Sequence, residues 1–307
     1  MKSEVNHSLP ARLRAAFESQ LPLPNDLEPH LAGAVGETLR HPGNMIRAEL
    51  AFRLGRSYDL PENDSESLAI AVEYFHTASL IFDDLPCMDD ALLRRGSECV
   101  HRAYGEGAAI LSALAFINRA YGLLWKAVAD VPAEARNASL AYVEQQLGVA
   151  GLLNGQSRDL YLEDHGRHAQ LYRQIAIGKT ASLIRLSLVL PAIMGEASPR
   201  EICLLERLSV AWGLCYQILD DLKDILHTAE EGGKTAARDA EMLRPNLALA
   251  IGMEASLRRA HRLIRMSDRV IAKLALQRGR LAFLADTIER FQAEMRSLSR
   301  VPQIASL

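Results

Sequence analysis

From Ser65 to Asp84 the apolar residues Leu68, Val72, Phe75, Ala78 and Phe82 recur every three or four positions, and the run stops at Asp83-Asp84-Leu85-Pro86. A stripe of that period predicts a helix with one buried face. Pro61, Asn63 and Asp64 read as the loop before it, and Pro86 ends it because proline cannot continue the hydrogen-bond ladder. The pattern returns from Ser209 to Leu226, again running into aspartates, at Asp220, Asp221 and Asp224. Alanine, leucine, arginine and glutamate dominate elsewhere, and alternating β-branched runs are nearly absent. Helices are expected at Leu9–Gln20, Asp26–Leu39, Gly43–Arg56, Gly107–Asp130, Arg136–Leu152, His168–Leu190, Asn246–Leu274 and Gly279–Leu298. No repeat, low-complexity tract or Pro/Ser-rich linker divides the chain. The expectation is an all-α bundle forming a single domain over residues 1–307, with 1–25 as an N-terminal extension and first helix.

Composition excludes several classes of function. Thirty-five lysines and arginines against 38 aspartates and glutamates leave a net charge of −3, so no bulk basic field recruits nucleic acid. Any anion site must be local. The cysteines Cys87, Cys99, Cys203 and Cys215 form no CxxC pair and have no histidine at zinc spacing. They read as small core residues of a reducing, cytoplasmic protein. Residues Met1 to Pro10 lack an apolar signal core. The stretch Gly107 to Val131 is interrupted by Asn118, Arg119 and Lys126, and Leu183 to Gly195 by Arg185 and Pro191. Neither supplies the roughly 20 uninterrupted apolar residues of a membrane span.

The acidic clusters carry the chemistry. Asp83-Asp84-Leu85-Pro86-Cys87-Met88-Asp89-Asp90 places four carboxylates within eight residues. Asp220, Asp221 and Asp224 stand at i, i+1 and i+4, on one side of their helix. Like charges at that spacing cost a few tenths of a kcal/mol each, and acids at a helix C-terminus oppose the macrodipole. Cations must therefore compensate. Carboxylate oxygens are hard ligands suited to Mg²⁺, which is commonly shared with substrate phosphates. Two such helix ends, brought face to face, would hold several Mg²⁺ ions around a diphosphate and assist C–O cleavage. Candidate cations for the anion follow closely: Arg94-Arg95-Gly96, Lys179 within the apolar Ile175 to Ile184, and Lys234 after Gly232-Gly233. His76 lies two helical turns before Asp83 on the same face, where a core histidine bonded to backbone is the simpler reading.

With these residues in place, the chain resembles the trans-isoprenyl diphosphate synthases, especially the bacterial geranylgeranyl and farnesyl diphosphate synthases. The resemblance runs from about Gly43 to the last helix. It rests on His76 to Asp90 followed by Leu93-Arg94-Arg95-Gly96, on Gly155-Gln156 with Asp159-Leu160, and on Gly178-Lys179-Thr180. It also rests on Tyr216-Gln217 with Asp220, Asp221 and Asp224, and on Gly233-Lys234-Thr235. It implies about ten to thirteen mostly antiparallel helices around a central cavity, usually as a homodimer. It further implies about three Mg²⁺ ions, with Mn²⁺ an alternative, held by Asp83, Asp89 and Asp220 with Asp84, Asp221 and Asp224 in support. The allylic diphosphate falls to Arg94, Lys179, Lys234 and Gln217, with Thr180 alongside, and isopentenyl diphosphate to Arg47, His76 and Arg95. Catalysis is assigned to Asp83, Asp84, Asp89, Arg94, Lys179, Gln217, Asp220 and Lys234.

The family's early GGKxxRP element departs here to Pro42-Gly43-Asn44-Met45-Ile46-Arg47-Ala48. Arg47 takes the arginine's place, but Asn44 replaces the lysine. A charge-assisted phosphate contact contributes about 1.5–3 kcal/mol, so its loss weakens isopentenyl binding by roughly ten- to a hundred-fold. Three readings follow: a chain-elongating prenyltransferase of farnesyl or geranylgeranyl length, a terpene synthase that ionises such a diphosphate without isopentenyl diphosphate, and a non-catalytic partner subunit. Ala78, five residues before Asp83, is small where synthases with short products carry a bulky aromatic, which favours a twenty-carbon chain.

Overall fold

The computed structural model describes residues 8–161, 169–226 and 246–298. Its contacts divide the chain into two compact units, Met1–Arg136 and Asn137–Leu307. The first contains α1 (Leu9–Ser19), α2 (Pro29–Arg40), α3 (Ile46–Ser57), α4 (Glu62–Asp83), α5 (Val100–Tyr104) and α6 (Glu106–Ala127). The only strands among the described residues are β1 (Leu93–Arg94) and β2 (Ser97–Glu98). They pair antiparallel, Leu93 with Glu98 and Arg94 with Ser97. The two residues between them, Arg95 and Gly96, both have positive φ (56° and 83°), the backbone of a tight primed turn.

Helix α4 is the axis of the first unit. Leu68, Ala69, Ile70, Ala71, Val72 and Tyr74 are all buried, as are Phe75, Ala78 and Ile81, so the helix is covered on most sides rather than along one stripe. It packs against α3 and α6, with α1 across it. Full burial of each large apolar side chain contributes up to about 1.5–3 kcal/mol. Phe17, Tyr74 and Phe116 cluster beside the middle of α4, with ring centroids 4.9, 5.2 and 6.2 Å apart. The Tyr74 hydroxyl donates to the Phe17 carbonyl at 2.6 Å. The helix begins at Glu62, not after Asp64, because Glu62 and Asp64 favour the positive end of the helix dipole.

Helix α7 (Ala133–Leu147) crosses the boundary into the second unit, which continues with α8 (Leu152–Leu160) and α9 (Ala169–Ala176). A π-helical turn (Ile177–Ala181) then leads into α10 (Ser182–Leu188), α11 (Leu190–Met194) and α12 (Pro199–Leu226). After the undescribed stretch come α13 (Leu247–Ile251), α14 (Met253–Gln277), a 3-10 turn (Gly279–Leu281) and α15 (Leu284–Leu298). Helix α12 is the axis here, ten residues longer at its start than the periodicity predicts. Leu205, Leu208, Ala211, Trp212, Ile218, Leu219 and Leu222 are buried along it, and Trp212 meets Phe291 edge-on at 6.1 Å.

By length and composition alone, three helical segments are apolar enough to cross a membrane: Glu106–Ala127, Gln170–Met194 and Pro199–Ile225. This corrects the expectation that interrupting polar residues disqualify every segment. In the second and third, 67% and 61% of the most apolar 18-residue window is buried by the protein itself. Their apolarity serves helix packing.

Candidate active site

Both axial helices end in aspartates, and each unit compensates them in its own way. In the first, Asp84 caps the C-terminus of α4 and is 4% exposed. Arg94, delivered by β1, donates through Nε to both Asp84 oxygens at 3.0 and 3.2 Å, and through Nη2 as well. Burial works against the Arg94 charge, but the Asp84 hydrogen bonds and the Asp84 and Asp83 charges outweigh it and hold the guanidinium above its ordinary pKa. Burial, together with the Asp84 charge, pushes the Cys99 thiol up to about 12, so it stays protonated beside the carboxylate. Beyond Asp84 the chain folds back on itself. The Asp89 N–H donates to the Asp83 carbonyl at 2.8 Å, and Asp90 N–H to the Leu85 carbonyl at 2.9 Å. Asp83 and Asp89 are thus tied by backbone to one small turn, with partly exposed side chains.

A second cluster in the same unit gathers the residues assigned to isopentenyl diphosphate. Arg47 Nη1 donates to His76 Nε2 at 3.1 Å. Burial first, then the charges of Arg47, Arg95 and Arg94, hold His76 well below its usual range, so the ring is neutral. A neutral ring that accepts at Nε2 carries its proton on Nδ1, and that buried N–H has no partner among the described residues. Arg95 Nη1 donates to the His41 carbonyl at 3.0 Å. Its guanidinium lies over Gly43, where a Cβ would come within 2.3 Å of Arg95 Cζ. Beneath the arginines sits Glu73, 1% exposed and accepting the Ala48 N–H at 3.2 Å. Burial raises its carboxyl, while the Arg47 charge, that N–H bond and Arg95 pull it down. The sequence reading missed Glu73. The available signal was an acid three residues before His76, on the same side of a helix otherwise apolar there. Asn44 is exposed, and its side chain accepts the Ile46 N–H at 3.3 Å, opening α3.

In the second unit Lys179 and Thr180 lie in the π-helical turn, a distortion frequent at functional sites. Gly155 permits it. A Cβ there would stand 2.2 Å from the Lys179 nitrogen and 2.5 Å from the Gly178 carbonyl carbon, so α8 and the turn touch backbone to backbone. Lys179 Nζ donates to Asp159 Oδ2 at 2.6 Å. Thr180 Oγ1 donates to Gln217 Oε1 at 2.9 Å, and Gln217 Nε2 to Asp221 Oδ1 at 2.8 Å. The Leu247 N–H donates to the other Asp221 oxygen at 2.7 Å, so this 2%-exposed carboxylate anchors the start of α13. Asp220 and Asp224 remain partly exposed. Lys234 and the surrounding Gly232, Gly233 and Thr235 lie outside the described residues.

Among the described residues no three His, Cys, Asp or Glu side chains are already gathered as a metal cage. Mg²⁺ does not need one, since it usually takes one or two carboxylates plus substrate phosphates and water. Partly exposed aspartates backed by saturated neighbours fit that donor set.

Residues 28–274 match the polyprenyl synthetase family. The geranylgeranyl diphosphate synthase of Pantoea ananas is 36% identical over 221 residues, 71% of this chain and 72% of that protein. The farnesyl diphosphate synthase of Bacillus subtilis is 29% identical over 275 residues, 89% of this chain and 92% of its own length. The Helicobacter pylori geranyltransferase, solved with magnesium and isoprenyl diphosphate, aligns at a TM-score of 0.79 and 25% identity over 94% of both chains. With the aspartate-rich helix ends, the lysine-bearing turn and this agreement along its length, the chain belongs to the polyprenyl synthetase family.

Proposed function

We propose that this protein is a Mg²⁺-dependent trans-prenyltransferase that condenses an allylic diphosphate with isopentenyl diphosphate to a product of farnesyl or geranylgeranyl length. The observation that carries the reading is the Arg47–His76–Arg95 cluster over Glu73. An enzyme that only ionises an allylic diphosphate has no use for a second diphosphate site, and this cluster gathers the cations such a site would need despite Asn44. The relatives named as synthases point the same way.

Asp83, Asp89 and Asp220 would hold Mg²⁺, with Asp84, Asp221 and Asp224 behind them. When bound, Mg²⁺ neutralises the diphosphate and acts as a Lewis acid in C–O cleavage. Arg94 is pre-oriented by Asp84, and its remaining N–H groups are suited to grip diphosphate oxygens. Lys179, steered by Asp159, adds a point charge, and Gln217 is fixed between Thr180 and Asp221. Lys234 is assigned to the same anion. Neutral His76 accepts from Arg47 through Nε2 and so positions that guanidinium, while Arg47 and Arg95 supply the charge for isopentenyl diphosphate. The allylic C–O bond breaks, the isopentenyl double bond attacks the resulting cation, and a proton leaves the adduct. No side chain must be a strong base, because the departing diphosphate can accept that proton.

The homodimer is part of the proposal. Ile110, Leu111, Leu114, Tyr121 and Trp125 lie along one side of α6 and are 38–65% exposed, an apolar stripe at coiled-coil-like spacing.

The test is a mass-spectrometric product assay with Mg²⁺. Dimethylallyl, geranyl, farnesyl or geranylgeranyl diphosphate is supplied with and without isopentenyl diphosphate. Longer diphosphates should form only when isopentenyl diphosphate is present. Hydrocarbon or terpene alcohol from an allylic diphosphate alone would overturn the reading.

A further inference from the structure

Helix α14 has two unlike faces. Leu257, Ala260, Ile264, Val270, Ile271 and Leu274 are buried, and the helix packs against α12. The outward face is cationic. Arg258, Arg262, Arg265, Arg269 and Lys273 are all exposed, and steps of three and four place them in one row along the helix. At about 1.5 Å of rise per residue the row spans roughly 22 Å. Leu276 continues it, about five whole turns beyond Arg258. At 88% exposure it is the most exposed large hydrophobic side chain among the described residues. None of these residues belongs to the helix ends or clusters described above.

Like charges at these spacings oppose helix formation, and little within the protein relieves them. Glu254 pairs with Arg258 at the start of the row. Arg262, Arg265, Arg269 and Lys273 make no hydrogen bond or ion pair with any described residue. Asp268, the other acid of the helix, lies about a quarter turn to the side and pairs with none of them. The face is a local cationic strip on a chain whose net charge is −3, and such a strip suits an anionic surface. Single-stranded nucleic acid is held by stacking on aromatic rings, and α14 has no Phe, Tyr or Trp. An acidic protein needs an apolar anchor at the centre of its footprint, whereas Leu276 stands at the end of the row. A lipid surface needs neither. Cations within a Debye length of about 8–10 Å are drawn to anionic headgroups, and a leucine beside them enters the acyl boundary.

We propose that the outward face of α14 docks the protein on anionic lipid bilayers, with the arginine and lysine row against the headgroups and Leu276 at its inserted end. The docking is peripheral and electrostatic, and it does not depend on the prenyltransferase reading. Under that reading it would bring release of a long-tailed diphosphate beside the bilayer that dissolves its tail.

The experiment is co-sedimentation of the full chain with vesicles of phosphatidylcholine alone and of equal parts phosphatidylcholine and phosphatidylglycerol. Wild type should bind the anionic vesicles at low salt and be released at about 0.5 M salt, where charges are screened. Arg262→Gln/Arg265→Gln/Arg269→Gln should bind roughly a hundred-fold more weakly, about five-fold per cation. Arg14→Gln/Arg40→Gln/Arg102→Gln removes the same charge from the first unit and should bind as wild type does. No binding to anionic vesicles, equal binding to neutral ones, or equal weakening in both triple variants overturns the proposal. So does a wild type that ignores vesicles but binds an RNA or DNA oligonucleotide through the same arginines. If the α14 triple variant loses its cooperative melt, Arg269→Gln alone gives the reading, with a roughly five-fold loss expected. The assay needs no turnover, so an inactive protein that still binds vesicles would sink the prenyltransferase reading and keep the docking face.

Discussion

Single residues decide how well each substrate is held. Asn44 stands where the resembling synthases place a lysine, exposed at the entrance to α3, and its side chain is spent on the Ile46 N–H. Asn44→Lys adds one cation beside Arg47 without disturbing a buried group. A charge-assisted contact contributes about 1.5–3 kcal/mol, so the KM for isopentenyl diphosphate should fall roughly tenfold or more. The KM for the allylic substrate should stay unchanged. Steady-state kinetics with each substrate varied in turn would check this, and an unmoved isopentenyl KM would place the position outside that site. Ala78 makes the opposite kind of point. It is 1% exposed on α4, so Ala78→Phe must project into whatever space lies beside it. Overpacking there costs about 1–3 kcal/mol. The product should be shorter than that of the wild type, as read by mass spectrometry; an unchanged product spectrum would remove Ala78 from chain-length control. The acids, cations and Asn44 were legible because their chemistry is local in sequence. Glu73 was not, since one acid within an apolar helix shows its purpose only when Arg47 and Arg95 are folded above it.

At the scale of elements, the period of apolar residues placed nearly every helix, and the departures share a cause. The helices expected over Arg136–Leu152 and Asn246–Leu274 are each divided at glycines, at Gly148 to Gly151 and at Gly252 with its φ of 89°. A glycine lowers helix propensity by only about 1 kcal/mol, too little to mark a break before tertiary packing selects it. The π-helical turn at Ile177–Ala181 is hidden for a similar reason. Its local sequence suits an ordinary helix, and it forms where α8 crosses at Gly155. Adding a methyl at that crossing sets backbone against backbone, which cannot yield as a side chain would. Gly155→Ala should therefore cost about 2–3 kcal/mol and lower the Tm by roughly 3–5 °C. Because the displaced backbone carries Lys179, kcat should fall even well below the new melting temperature. Differential scanning calorimetry with kinetics at 20 °C would separate the two effects, and a variant with wild-type Tm and kcat would contradict the close crossing.

For the whole molecule, the two compact units follow one plan, an axial helix buried on most sides whose C-terminal end carries aspartates. The boundary at Arg136 was invisible in sequence because it falls inside α7, with no linker composition to betray it. The exposed apolar side of α6 was also hidden, since its periodicity matches that of any helix facing a core. A second copy of the chain is the proposed cover. In a two-fold dimer each substitution acts twice. Losing about 1.5–3 kcal/mol of burial per side chain then weakens association by roughly two to four orders of magnitude. Leu114→Glu and Trp125→Glu, both on exposed positions, should leave the fold intact by circular dichroism while shifting mass in light scattering. Wild type should scatter as twice 33.9 kDa and the variants as 33.9 kDa. Wild type that is monomeric at micromolar concentration would instead leave the stripe to another partner, while variants that stay dimeric would move the interface off α6.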